Sequence, residues 1–293
     1  MTATRQLLKH APAGKSRLIW SRVIARVCNY LFCLVVGSLM LLPLIWLVRS
    51  SLMSLDQIFR YPPELVPKPL QWQNYPEALT TIPFFLYLQN TVFILLPSVL
   101  GTVVTATLAA FGFSRLRWRG RDLVFNVLLS SLMLPYAITL IPTFILWARL
   151  GLVNSTWPLI VPRWFGGGAF YIFLLRQFFR TIPRELDEAA LLDGANPLHI
   201  LWFIIVPLSR PALIAVTIFS ALSAWNDFLG PLIYLNDSNK FTLALGLSEF
   251  AGLYSSQWHL LMAAAFVVIA PVALLFFFAQ KYFIRGIALT ATK

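Results

Sequence analysis

Glu185, Asp187 and Glu188 put three of the chain's eleven acidic residues into four consecutive positions, inside the stretch IPRELDEAALLDGANPLHILWFIIVPLSRP from Ile182 to Pro211. Carboxylates this close could do acid–base chemistry, but they sit between two apolar runs rather than inside one. The chain offers no Ser-His-Asp set, no metal-ligand cluster and no paired carboxylate within an apolar run, so nothing recommends an enzyme. His10, His199 and His259 are scattered and have no metal-ligand spacing. Cys28 and Cys33, five apart in one apolar run, point to different faces of a helix and read as small hydrophobes. The tripeptide GKS at Gly14 to Ser16 imitates the end of a phosphate loop, but Lys9 stands where the opening glycine belongs and no strand precedes it.

The elements that must position these residues follow from composition. At 293 residues and 59% apolar, with 15% aromatic, the chain is an integral membrane protein. Its net charge of +12 is unaccompanied by any nucleic-acid-binding motif, so the basic residues are read as loop markers. Runs long enough to cross a hydrocarbon core lie at 27–48, about 88–113, 123–148, about 157–179, about 203–225 and 260–280. Backbone groups in lipid must bond internally, so all six are expected to be helices. Seventeen of the 23 Lys and Arg residues fall on the side of the basic tail (residues 1–26) and of Arg115, Arg117, Arg119 and Arg121; six fall on the other. Both termini are therefore expected in the cytoplasm. The tail is too long and the following run too extended for a cleaved signal, so the first helix stays as an anchor of the membrane domain, 27–293.

Within the stretch that opened this section, Pro183 suits the first position of a helix, Glu185 and Asp187 its first turn, and Gly194 the residue beyond its end. Asn196-Pro197 is a second start signal. The expected result is a short helix, an elbow and another helix, with Ala189 and Ala190 giving a surface that another protein can approach closely. Arg163 beside Gly166, Gly167 and Gly168 allows a broken helix around a substrate, or a close-packed crossing, which we favour. Arg163 itself reads as either an interfacial snorkelling residue or a pathway residue, and Asn226 and Asp227 as either pathway or cap residues. An ion-gradient-driven secondary transporter is the alternative reading, but no Asp, Glu or His lies centrally in any of the six runs.

Glu188-Ala189-Ala190, then Gly194, Ile204 and Val206-Pro207 resemble the EAA…G…I-x-L-P signature of ABC importer permeases, departing at Val206 where leucine is usual. NTVFILLPSV at Asn90 to Val99, LAAFGFSRLRWRGRD at Leu108 to Asp122, WND at Trp225 to Asp227 and YFIRGI at Tyr282 to Ile287 extend the resemblance to the carbohydrate-uptake subfamily, from Cys28 to the end of the chain. The resemblance implies an all-α, six-helix type I ABC importer permease (MetI-like) fold in a bacterial inner membrane. It implies a coupling helix at about 183–194 that seats Glu188, Ala189, Ala190, Asp193 and Gly194 on a cytoplasmic ATPase. It also implies an outer loop, 236–258, that meets the binding protein through Glu249, Phe250, Ala251, Gly252, Leu253, Tyr254, Ser255 and Ser256. The implied partners are a second, homologous permease, two ATPase subunits, a solute-binding protein, a sugar (a di- or oligosaccharide, neutral or acidic) and membrane lipid. No cofactor or metal is expected in this chain; ATP and Mg would be bound by the ATPases.

Overall fold

The computed structural model describes residues 14–252 and 256–290, with side chains over 24–252 and 256–278. Residues 1–13 of the basic tail, the side chains of the GKS tripeptide, Leu253 to Ser255 and the side chains of the YFIRGI segment therefore lie outside the described residues. Helix α1 (Gly14–Ser51) leads through short α2 (Leu55–Ile58) and α3 (Asn74–Thr81) into α4 (Phe84–Ser114). After α5 (Arg121–Ser130) and α6 (Tyr136–Arg149) come α7 (Trp157–Ile160) and α8 (Ala169–Phe179), then the short α9 (Glu185–Leu192). Helices α10 (Pro197–Ile200), α11 (Val206–Leu208) and α12 (Arg210–Trp225) precede α13 (Leu229–Tyr234), α14 (Leu243–Gly246) and the long α15 (Trp258–Thr290).

Four stretches are long and apolar enough to cross a membrane, and two bent pairs raise the number to six. Six crossings result when each bent pair is one span, and three of the six are not straight helices. The run at 123–148 bends by 100° at Leu134–Pro135, and the run at 203–225 bends by 82° at Ser209, just before Pro211. The residue ahead of a proline is pushed out of helical geometry, and Leu134 is extended (ψ 118). The fourth crossing passes from α7 through a 3-10 turn, Val161–Trp164, into three glycines with positive φ, Gly166, Gly167 and Gly168, before α8 begins.

Helix α4 is the mast around which these pieces gather. Its buried face carries Gly101, Thr102, Ala106, Thr107 and Ala110, small residues that let neighbouring backbones approach closely. Van der Waals contact supplies the attraction here, because lipid tails are as apolar as the core. The glycine break rests on this face. Thr105 Oγ1 accepts from Gly166 N at 2.9 Å and Thr102 Oγ1 donates to the Arg163 carbonyl at 3.4 Å, so α4 side chains satisfy backbone groups that left the helix. One core cluster joins the lower half of α4 to α8, α10 and α12 through Phe111, Leu175, Phe179, Ile200, Leu201 and Val216. Another joins its upper end to α3, α14 and α15 through Tyr87, Leu243, Phe250 and Leu260.

A Cβ on Gly167 would fall inside the Thr102 side chain, at a residue with φ +63. Gly167→Ala is expected to cost about 1–2 kcal/mol for the left-handed backbone and about 1–3 kcal/mol for overpacking. Gly37→Ala, with no neighbour within 4 Å, is the control. Thermal unfolding in detergent should separate the two; equal melting temperatures would mean that the break is not packed on α4.

Candidate functional site

The acidic stretch folds as the short helix α9, with Glu185, Asp187 and Glu188 in its first turn, where the helix dipole favours carboxylates. The first turn begins later than expected. Arg184 is the N-cap, its carbonyl accepting from Asp187 N and Glu188 N, and Pro183 precedes the cap. Gly194 has φ +82 and donates its N–H to the Leu191 carbonyl, turning the chain sharply after the helix. Asn196 then accepts from His199 N at 2.8 Å and Pro197 opens α10, so the second start signal works as read.

One guanidinium aims this loop. Arg115, the residue after α4, donates from Nη2 to the carbonyls of Phe179 (2.6 Å) and Ile182 (2.9 Å) at the end of α8. Its Nη1 donates to Asp187 Oδ2 at 2.9 Å. The side chains of the pair are only 4% and 14% exposed. Burial lowers the Arg115 guanidinium from its usual value, more than Asp187 raises it. Burial likewise pushes the Asp187 carboxyl above its usual range, against the pull of Arg115. Desolvation thus outweighs attraction on both partners, and the pair fixes position more than it adds stability. Neither residue stood out in the sequence as a partner of the other, because they are 72 positions apart. Arg115 was legible only as one basic residue of a loop.

Beyond that fastening the loop is open. Glu188 and Ala189 are exposed, Asp193 and Gly194 are exposed, and Ala190 packs partly against the core below. Leu186, Leu191, Leu192 and Leu198 show 42%, 53%, 90% and 57% of their surfaces. Four exposed leucines beside the exposed Glu185, Glu188 and Asp193 make a knob fit to enter a groove of another protein.

Arg163 and Asp227 come together with Thr91 and Ser98 around a cavity of about 10 Å³, room for roughly one water and far too small for a sugar. Both Arg163 Nη atoms lie 3.3 Å from Ser223 Oγ on α12. Asp227 accepts from Gly230 N at 3.0 Å, and Asn226 donates to the Leu222 carbonyl at 2.9 Å, so both serve helix ends, and Asp227 lines this cavity as well. Tyr136, at the bend before α6, lies within electrostatic reach of Asp227 and Arg163 and was missed by sequence reasoning.

The outer loop is stapled to α4. Asn90 donates to the carbonyls of Asn239 and Phe241, Thr91 accepts from Leu243 N, and the Tyr87 hydroxyl donates to Glu249 at 3.0 Å. Asn90 and Thr91 open the NTVFILLPSV segment, which thereby has a physical role. Phe250 is 2% exposed and belongs to the core, so it anchors the loop; Ala251 and Gly252 are exposed, and Ala251 bridges to Ser256 around the tip.

Bent and broken apolar crossings packed on one mast, with a short exposed helix fastened at one end, define an integral membrane protein. Residues 102–289 match the model of the family described as binding-protein-dependent transport system inner membrane component, and the chain belongs to that family. It is 30% identical over 291 residues to the arabinooligosaccharides transport system permease protein AraQ of Bacillus subtilis, covering 98% of this chain and 100% of that one. Among solved structures, a bacterial ABC transporter involved in the import of the acidic polysaccharide alginate has a chain 27% identical, with a TM-score of 0.77, covering 90% of this chain and 98% of that one. The methionine ABC transporter in inward-facing conformations shares the fold at 16% identity and a TM-score of 0.53, covering 69% and 95%. The protein is thus an inner-membrane permease component of a binding-protein-dependent transport system, helical with no strands among the described residues, with the expected fold class.

Asp187→Leu should cost about 3–5 kcal/mol, because it leaves Arg115 buried and uncompensated. Adding Arg115→Met to Asp187→Leu should recover part of the loss, with a coupling above about 1 kcal/mol in a double-mutant cycle of unfolding in detergent. Losses that simply add would show that the two side chains act independently.

Proposed function

We propose that the chain is one of two homologous permease subunits of an ATP-driven importer that receives a sugar from an extracytoplasmic solute-binding protein. The observation that carries the reading is the α9 knob, exposed at its tip and tied through Arg115 to the ends of α4 and α8. A partner pushing on such a knob moves the membrane helices, because the fastening is buried and rigid. Glu188, Ala189, Ala190, Asp193 and Gly194 would seat on an ATPase subunit, and a pair of such subunits would bind ATP and Mg. The charge asymmetry supports a cytoplasmic position for the knob and both termini, in the inner membrane of a bacterium.

Kinship with the arabinooligosaccharide permease and the alginate importer supports an oligosaccharide, neutral or acidic, as the substrate class. Arg163, at the break in the fourth crossing, would meet it when the seam with Asp227 and Asn226 opens. A guanidinium freed from Ser223 pairs with a carboxylate through two parallel hydrogen bonds. The tip at Ala251, Gly252 and Ser256, with Glu249 tethering it, would touch the binding protein.

Gly194→Val places a β-branched residue at φ +82, and Glu188→Lys reverses the knob's charge. Each variant should insert and assemble with its partners yet abolish uptake and the stimulation of ATP hydrolysis by loaded binding protein. Normal transport by either variant would overturn the coupling assignment. For the pathway, Arg163→Gln should impair uptake of an acidic oligosaccharide about tenfold or more while sparing a neutral one; equal uptake of both would return Arg163 to a structural role.

A further inference from the structure

A second basic feature lies beside the coupling loop and shares Arg184 with it. Arg121, Asp122 and Asn126 on α5, Arg176 on α8, and Arg180 and Arg184 in the turn that follows line a cavity of about 320 Å³. Four guanidinia surround it with one carboxylate, Asp122, whose side chain is 68% exposed. Arg121 contacts Asp122 at 3.2 Å and Arg176 at 3.4 Å; among the described residues, Arg180 and Arg184 pair with no acid. The cavity therefore keeps a surplus of about three positive charges, a concave field that attracts an anion.

Arg176 is preorganised. It is 9% exposed, its guanidinium lies 3.8 Å from the centre of the Phe125 ring, and its Nε donates to the Phe113 carbonyl at 3.2 Å. Such a planar fork, held by stacking, suits the oxygens of a phosphate. The rim indicates where the phosphate comes from. Trp118 and Leu123, 43% and 69% exposed, line the adjoining cavity with Arg117, and Val124 and Val127, 46% and 62% exposed, continue the apolar surface on the neighbouring face of α5. A tryptophan among arginines, with exposed apolar side chains following along the helix, is the pattern of a membrane interface. A free phosphate would have no use for those side chains, whereas lipid acyl chains would lie along them.

We propose that this cavity binds the phosphate of an anionic membrane phospholipid, whose acyl chains run along the exposed face of α5. Bound there, the lipid bridges α5 to the end of α8 and to Arg184, the N-cap of α9, and so bears on how firmly the coupling loop is held. The site is independent of what docks on the α9 tip, since Glu188 and the exposed leucines do not line it.

The test uses the assembled transporter in nanodiscs of phosphatidylcholine with or without phosphatidylglycerol. Native mass spectrometry counts the lipids retained, and hydrolysis of ATP stimulated by loaded binding protein reports coupling. The double variant Arg121→Gln/Arg180→Gln should hold phosphatidylglycerol about tenfold less tightly than the unaltered transporter, with phosphatidylcholine retention unchanged, and should lose the response of coupling to phosphatidylglycerol. Arg149→Gln, away from the cavity, should behave as the unaltered transporter. Unchanged phosphatidylglycerol retention in the double variant would overturn the proposal. So would restoration of coupling in pure phosphatidylcholine by inorganic phosphate, which would assign the cavity to a free anion. Loss of the ATPase subunits from the double variant in both lipid mixtures would assign it to a protein contact and equally overturn the lipid.

Discussion

Arg115 is the constraint on which the rest of the arrangement depends. A helix end leaves carbonyls without partners, and the last turn of α8 ends in a partly buried place where water cannot serve all of them. One guanidinium answers this from α4 by taking the Phe179 and Ile182 carbonyls, and the fork left over reaches Asp187. Only arginine offers several donors in one plane at that reach; a lysine ammonium could not span three acceptors on two elements in this fixed geometry. Because both charges are desolvated, the pair contributes little net stability. Its effect is positional, since α9 cannot shift against α4 without stranding a buried charge.

The upper parts of α4 repeat the logic with neutral groups. Thr102 and Thr105 take up the backbone groups freed at the glycine break, while Tyr87, Asn90 and Thr91 hold the outer loop. Small residues at Gly101, Ala106 and Ala110 let neighbours approach closely enough for these short side chains to reach. Gly101 shows how tight the fit is: a Cβ there would stand 2.6 Å from the Trp164 ring. Motion delivered to α9 therefore arrives at α4 directly, and α4 touches both the break beside Arg163 and the outer loop. Coupling over this distance needs only one stiff element with polar attachments along its length.

The local chemistry of this chain was legible in its sequence, and the long-range chemistry was not. Apolar runs located the six crossings, because the hydrocarbon core sets a length that composition reveals. Gly194 and Asn196-Pro197 act as read, because caps and turns are decided by neighbours a few residues away. The bends at Leu134–Pro135 and Ser209 escaped notice because proline alone does not mark them: Pro43, Pro97, Pro142 and Pro271 all sit inside unbroken helices. At the glycine break the freed backbone is met by Thr102 and Thr105 of α4, remote in sequence, whereas Leu134 and Ser209 bond to carbonyls a few residues back. The Arg115–Asp187 pair, the burial of Phe250 and the approach of Tyr136 to Arg163 share the same cause. Each depends on which crossings become neighbours, which hydropathy along one chain does not encode.

The central claim is that α9 and α4 move as one body. Spin labels at Arg117, just beyond the end of α4, and at Leu192, on the exposed tip of the knob, allow the separation to be measured in the assembled transporter, both without nucleotide and with ATP trapped. The account predicts one narrow distance distribution that is the same in both states, and a broad one when Asp187→Leu is introduced. A distance that shifts between the two states in the unaltered protein would contradict it, since the knob would then be a hinged connector rather than a rigid extension of the mast.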